Sequence, residues 1–305
     1  MDFKQLEAFI KVIELKSFTR AAEALYLSQA SVSLYIHSLE KEMSSQLIVR
    51  STKELSPTKS GTKFYEYAKN IIALRDMALF EIQAQKSLLS GEFEIMASSV
   101  PAQYILPEIL ASFNKVYPEI RFVVEQSDTT GVTKGVISQE CEFGMVGGKL
   151  EVSNCTYDHI LSDALVLIAP PEAKIDVLTK EELPNFFYTQ NFIMRESGSG
   201  TRAGYENFMK EVGIDPAKVK TVASFSNTQS ILHAVSKGLG ISIVSKMAAE
   251  DYMKKGMIQV INLEIQMPVR QFYFISKKNV ILSPISKLFI EFVHEYYENI
   301  NRSKQ

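Results

Sequence analysis

The chain has 305 residues, 46% of them hydrophobic and 22% charged, which describes a folded protein with room for two or three domains and excludes a disordered or fibrous one. Its formal net charge of -2 gives no global sign of a nucleic-acid partner, so any such function must rest on local charge. Cys141 and Cys155 are too few and too far apart for a disulfide framework or a metal site, and His37, His159, His233 and His294 lack ligand spacing, so no metal or cofactor is expected and a reducing compartment fits.

The opening MDFKQLEAF has amphipathic spacing instead of a basic start and an apolar run, and no stretch of about eighteen apolar residues follows, so a cytoplasmic chain with no membrane partner is expected. Leu6, Phe9, Ile10 and Ile13 mark one side of a helix over Phe3 to Leu15. A second short helix, capped by Ser17 or Thr19, carries Phe18, Ala21, Ala22 and Leu25, and Tyr26 with Leu27 makes the turn. Ser28 caps a third helix whose buried stripe is Val32, Ile36, Leu39 and Met43. That stripe turns Ala30, Ser31, Ser33, Leu34, His37 and Ser38 outward, with Gln29 near the N-terminal end. A helix that enters a major groove needs short side chains and hydrogen-bonding ones, and Gln29, Ser31, Ser33 and His37 supply them. An ordinary helical hairpin with a solvated, serine-rich face shows the same pattern.

Over residues 1 to 63 nine Lys and Arg oppose seven Asp and Glu, a small excess. Its placement matters more, because Arg50, Lys53, Lys59 and Lys63 surround a candidate hairpin and the helix after it, where phosphates would lie. From Thr58 to about Leu89 the pattern becomes one long helix carrying Phe64, Ala68, Ile71, Leu74, Ala78 and Ile82. About thirty residues span about 45 Å, enough to separate two domains and to bury a stripe against a second copy or against the same chain.

The stretches FKQLEAFIKVIELKSFTRAAEALYLSQASVS and SLEKEMSSQLIVRSTKELSPTKSGTKF resemble the winged helix-turn-helix domain of the LysR-type transcriptional regulators. The chain departs from that pattern at Leu34, where the family usually has Arg, at Ser44 and Ser45, where it usually has Gly, and at Ile48, where Phe is expected. The resemblance implies that Gln29, Ser31, Ser33 and His37 meet bases of double-stranded promoter DNA, with Arg50 and Lys53 on phosphate. It also implies that Phe64, Ala68, Ile71 and Ala78 of the linker helix meet a second copy in a homodimer or homotetramer, and that RNA polymerase is a partner.

Ser90 and Gly91 end the long helix and open an α/β region. Strands are expected at FEIMAS, Ile120 to Gln126, Phe143 to Val146, Ala164 to Ala169, Phe192 to Met194, Val219 to Ala223 and Ile241 to Val244. Helices are expected at Pro101 to Tyr117, Thr130 to Ser138, Arg202 to Val212 and Thr228 to Lys237, a rhythm that predicts parallel sheets. The strand QFYFIS and a helix from Pro284 to Tyr297 would return to the first half and complete two lobes.

The phrases ASSVPAQYILPEILASFNKVYP, FGMVGG, RESGSGTR and VSKGLGISIVSKMA resemble the LysR-type effector domain, whose fold is that of two-lobed periplasmic binding proteins, and ESGSGTR looks most like the branch of cysteine-synthesis and carbon-fixation regulators. The fold class expected is therefore α/β, with an N-terminal winged helix-turn-helix over 1–60, a long linker helix over 61–90 and a two-lobed periplasmic-binding-protein-like effector domain over 91–305. Lobe I would comprise 91–162 and 267–305, and lobe II 163–266. A small anionic effector would lie between them, met by Ser98, Ser99, Gly147, Gly148, Ser199, Thr201, Arg202 and Asn227, since hydroxyls and helix N-termini suit negative charge.

Gly198, Gly200 and Ala203 also satisfy a GxGxxA dinucleotide pattern, but so deep in the chain, and with Asp215 poorly spaced for a ribose, that the pattern fits anion binding better. A small-molecule carrier would be expected to have an export signal and no DNA-reading domain. An enzyme on this scaffold would be expected to show a nucleophile with its base or clustered carboxylates, and no catalytic residue is assigned.

Overall fold

The computed structural model describes residues 1–50, 55–83, 90–173, 175 and 177–303. They form two compact units, one of residues 1–86 with 279–287 and one of 87–278 with 288–305.

In the first unit α1 (Phe3–Leu15) starts from a capping box between Asp2 and Gln5, α2 (Phe18–Ala24) from Ser17 and α3 (Gln29–Glu42) from Ser28. Ala21 and Ala22 are small enough to let α2 lie close to its neighbours, and the stripe Val32, Ile36 and Leu39 closes the core with Leu6 and Phe9. Met43, expected to continue that stripe, is exposed because the chain has already turned off the helix there, and Ser44 follows at φ 47. A wing hairpin pairs β1 (Ile48–Arg50) with β2 (Leu55–Pro57). Glu40 ties α3 to the wing by accepting from the backbone N–H of Leu47 (2.9 Å) and Ile48 (3.2 Å).

Thr58 then caps α4 (Lys59–Gln83), accepting from Gly61 N–H at 2.9 Å and donating to Gln46 O at 2.7 Å. A Cβ on Gly61 would stand 1.9 Å from the carbonyl oxygen of Leu47, so only glycine lets the helix start against the wing. Three residues expected to face a second copy are instead used by their own chain. Ala68 is fully buried in the core beside α1, the Phe64 ring lies 5.3 Å from Phe9, and Ile71 packs on the same cluster. Ala78 is exposed, together with Tyr67, Leu74 and Ile82.

In the second unit β3 (Gly91–Ser98) leads into a π-helical turn (Pro101–Ile105), α5 (Leu106–Val116), β4 (Ile120–Ser127), α6 (Thr129–Ser138) and β5 (Phe143–Val146). A strand of fifteen residues, β6 (Cys155–Ala169), follows, then β7 (Val177–Leu178), α7 (Leu183–Thr189), β8 (Phe192–Arg195) and α8 (Gly200–Glu211). The chain continues through β9 (Thr221–Phe225), α9 (Thr228–Ser236), β10 (Ser242–Ser245), α10 (Lys246–Lys254), β11 (Gln259–Leu263), β12 (Val269–Lys277) and α11 (Pro284–Ser303).

The strand order is β4-β3-β5-β12-β6-β11-β7, with β10 also on β6 and β8 paired with β9. Expected as parallel, the sheet is mixed. β3 runs parallel to β4 and β5, whereas β12 runs antiparallel to both β5 and β6. The first part of β6 pairs with β12 and its last residues pair with β10 and β11, so one strand belongs to both lobes. Phe289 of α11 fills the first lobe's core against Phe93, Phe113 and Phe143. Phe187, Phe192 and Tyr205 form the aromatic part of the second core. Each such ring contributes about 1.5–3 kcal/mol by burial.

Candidate functional site

On α3, Gln29, Ala30, Leu34, His37 and Lys41 are exposed, while Ser31 and Ser33 are half-buried. The Ser31 hydroxyl lies 2.8 Å from that of Ser28, within the helix cap. Lys59 and Lys63 are exposed on the first turns of α4. The backbone of Arg50 closes β1, and Lys53 lies outside the described residues.

The second unit holds a cleft of about 210 Å³, counting its open mouth. Its walls are the ends of several elements. Ser98, Ser99 and Val100 follow β3, Asp128 and Thr129 begin α6, Gly147 follows β5, and Ser199, Gly200 and Thr201 begin α8. Asp128 caps α6 by accepting from Gly131 N–H at 2.6 Å, and Ser199 caps α8 by accepting from Arg202 N–H at 3.4 Å. The positive ends of these helices therefore converge on one small space.

Two guanidinium groups complete it. Arg195, at the end of the buried strand β8, donates from Nη2 to Ser99 Oγ (2.9 Å) and from Nη1 to Thr228 Oγ1 (3.0 Å), with Glu196 holding its other side at 2.6 and 2.8 Å. Arg270 projects from β12 over the Phe272 ring, 4.5 Å away, and donates from Nη1 to Thr201 Oγ1 at 2.6 Å. Its Nε and Nη2 both reach Asp163 Oδ2 at 3.1 Å, directly across the strand pair. Asp163 also accepts from the Ser245 hydroxyl (2.6 Å) and the Met247 N–H (3.2 Å). Burial pushes the Arg270 guanidinium down to about 10, Asp163 pulls it back up and the nearby Arg195 charge adds to the lowering, so it stays cationic at neutral pH.

The two sides of the cleft touch where glycines permit. A Cβ on Gly198 would fall 1.9 Å from Asp128 Oδ2, and one on Gly200 would fall 2.8 Å from Gly147 O. At one rim, Tyr104 of the π-helical turn donates to Gln229 Oε1 (2.7 Å), and Gln229 donates to Tyr252 (3.1 Å).

Of the expected residues, Ser98, Ser99, Gly147, Ser199 and Thr201 line this cleft. Gly148, Arg202 and Asn227 do not. Arg202 is turned to Glu206 (2.7 Å) and the carbonyl of Arg195, and Asn227 caps α9 by accepting from Ser230 N–H (2.8 Å). Its neighbour Thr228 is the residue that meets Arg195. Arg270, Asp163, Asp128 and Thr129 lie outside the motifs, and Arg195 opens the phrase RESGSGTR without being singled out from it as an effector contact. A further signal for both arginines is an isolated cation in an apolar strand, in FIMR and in VRQFYFIS. Among the described residues no group of three or more His, Cys, Asp or Glu is placed to hold a metal ion.

Residues 3–62 match the bacterial regulatory helix-turn-helix proteins of the lysR family, and residues 86–298 match the LysR substrate binding domain. The chain is a LysR-type transcriptional regulator. Among relatives of this regulator, the HTH-type transcriptional regulator CysL of Bacillus subtilis is 34% identical over 249 residues, 81% of each chain. A probable RuBisCO transcriptional regulator of Phaeodactylum tricornutum is 32% identical over 267 residues, 86% of each chain. The regulator thus falls with the cysteine-synthesis and carbon-fixation branch that RESGSGTR resembles. Its fold is shared with a full-length OxyR variant from Pseudomonas aeruginosa, with a TM-score of 0.74 at 19% identity over 97% of this chain and 94% of that one. As a LysR-type regulator it binds DNA through the helix-turn-helix domain and carries a two-lobed effector domain. No helix among the described residues is long and apolar enough to cross a membrane.

Proposed function

We propose that this regulator responds to a small anion held in the interlobe cleft by Ser98, Ser99, Thr201, Arg195 and Arg270. The observation that carries the reading is the convergence of two cationic side chains, Arg195 buried and Arg270 nearly so, with the N-termini of α6 and α8 on one small polar space. Each guanidinium spends a donor on a cleft hydroxyl, Arg195 on Ser99 and Arg270 on Thr201, and an oxyanion could take either donor. Binding shifts the regulator only to the extent that the anion prefers one arrangement of the lobes.

The proposed division is 1–60 for DNA binding, 61–90 for the linker, and 91–305 for the effector domain, with lobe I as 91–162 and 267–305 and lobe II as 163–266. Gln29, Ser33 and His37 read bases, with Ser31 at the helix start, and Arg50 and Lys53 meet phosphate. The exposed face of α4 at Tyr67, Leu74, Ala78 and Ile82 meets a second copy in a homo-oligomer. The regulator acts in the cytoplasm with RNA polymerase as a partner, and it performs no catalysis.

The test is calorimetric titration of the full-length protein with phosphate, sulfate, small carboxylates and acylated amino acids. One of these should bind, and Ser99→Ala and Thr201→Ala should each weaken it about tenfold or more, the worth of a hydrogen bond to a charged group. A ligand whose affinity survives both changes sits elsewhere.

A further inference from the structure

We propose that Leu34 is a base-reading residue, and that it selects a thymine by packing against the C5-methyl group in the major groove. The inference rests on α3 being the reading helix. Val32, Ile36 and Leu39 are fully buried, which fixes the outward stripe as Ala30, Leu34, His37 and Lys41. Leu34 stands in the middle of that stripe with 65% of its surface exposed, more than any other large apolar side chain of α3. Ser31, by contrast, keeps its hydroxyl in the helix cap, so the side chains that project furthest from this face are Gln29, Leu34, His37 and Lys41.

A leucine has no donor or acceptor, so it cannot pair with the N7, O6, N6 or N4 positions that line most of the groove. The thymine methyl is the one apolar group there, and against it a leucine gains by burial. Over a G·C pair the same side chain would cover polar edges without satisfying them, so it also discriminates against the wrong base. A leucine also brings no charge to suit phosphate or guanine, as an arginine here would. Ala30, one turn earlier on the same stripe, keeps the helix surface low enough for the leucine to reach the base. Leu34 is about 7.5 Å along the helix from Gln29, so its thymine should lie about two base steps from the base that Gln29 meets.

The experiment selects duplexes from a random library with the full-length protein, then replaces each thymine of the selected site singly by deoxyuridine, which lacks only the methyl. One thymine in each half-site should lose about fourfold in affinity on this replacement with the natural protein, the value of one buried CH2 group. The same replacement should leave Leu34→Ala binding unchanged. Leu34→Arg should select a different base there. As Leu34 is a surface position, thermal unfolding of the variants should match the parent. If no deoxyuridine replacement distinguishes the natural protein from Leu34→Ala, the assignment is overturned. If Gln29→Ala and Ser33→Ala also select the parent's site, the error lies with α3 as the reading helix and not with Leu34 alone.

Discussion

Asp163 accepts a hydroxyl, a backbone N–H and both arms of the Arg270 fork, and it is nearly fully buried. Asp163→Asn keeps the shape and removes the charge, leaving Arg270 buried beside Arg195 without a counterion. Breaking a buried pair in this way costs about 3–5 kcal/mol, so the unfolding free energy of the effector domain from denaturant titration should fall by that amount and its midpoint should move lower, and an unchanged midpoint would mean Arg270 finds another partner. Ser44 makes a second case. Its φ of 47 is a left-handed conformation in the turn after α3, and it is exposed, so its side chain gives nothing back. Ser44→Gly should stabilise the DNA-binding domain by about 0.5–1 kcal/mol in thermal unfolding. At this scale the caps of the first unit were legible, since Ser17 and Ser28 each stand just before an apolar periodic run, whereas Ser199 and Asn227, expected as effector contacts, also cap α8 and α9. The arginines of the cleft were not. Their partners Ser99, Thr228, Asp163 and Thr201 come from distant parts of the chain, and no local pattern encodes that meeting.

Helix α4 shows how a correct element can carry a misread face. Phe64, Ala68 and Ile71 have the spacing of a seam, but the seam is the one with α1, and spacing alone says nothing about which partner a stripe meets. The stripe that remains, Tyr67, Leu74, Ala78 and Ile82, lies on the exposed side. Leu74→Glu combined with Ala78→Glu should reduce the full-length oligomer to a smaller species in light scattering while its melting temperature stays the same. Ala68→Glu should instead unfold the DNA-binding domain, since it places an unpaired charge in a closed core. An unchanged mass for the double variant would move the interface off α4. Strand β6 was half legible for a related reason. Its last residues are a continuous apolar run, whereas CTYDHILSD buries only Cys155, Ile160 and Asp163, without regular alternation, so the sequence predicts no strand there. The π-helical turn at Pro101–Ile105 reads as ordinary helix, because Pro at a first turn fits either form.

For the whole molecule, the motifs carried the order of parts from head to linker to two lobes, because each part has its own periodicity. They did not carry the direction of the strands. The rhythm of alternating strands and helices implies parallel pairing, and the antiparallel placement of β12 between β5 and β6 depends on residues far apart in sequence. That placement bears on how the protein is made. Strand β12 is the neighbour that covers β5, yet it leaves the ribosome after every strand of the second lobe. A nascent chain that has reached Leu263 can pair β10, β11 and the end of β6, while β5, buried at all of its residues in the finished protein, still has an open edge. Phe289, which fills the core above that sheet, arrives later still. The first lobe to be started is thus the last to close, and its waiting strand edge is where a stalled or truncated chain would find another chain to pair with.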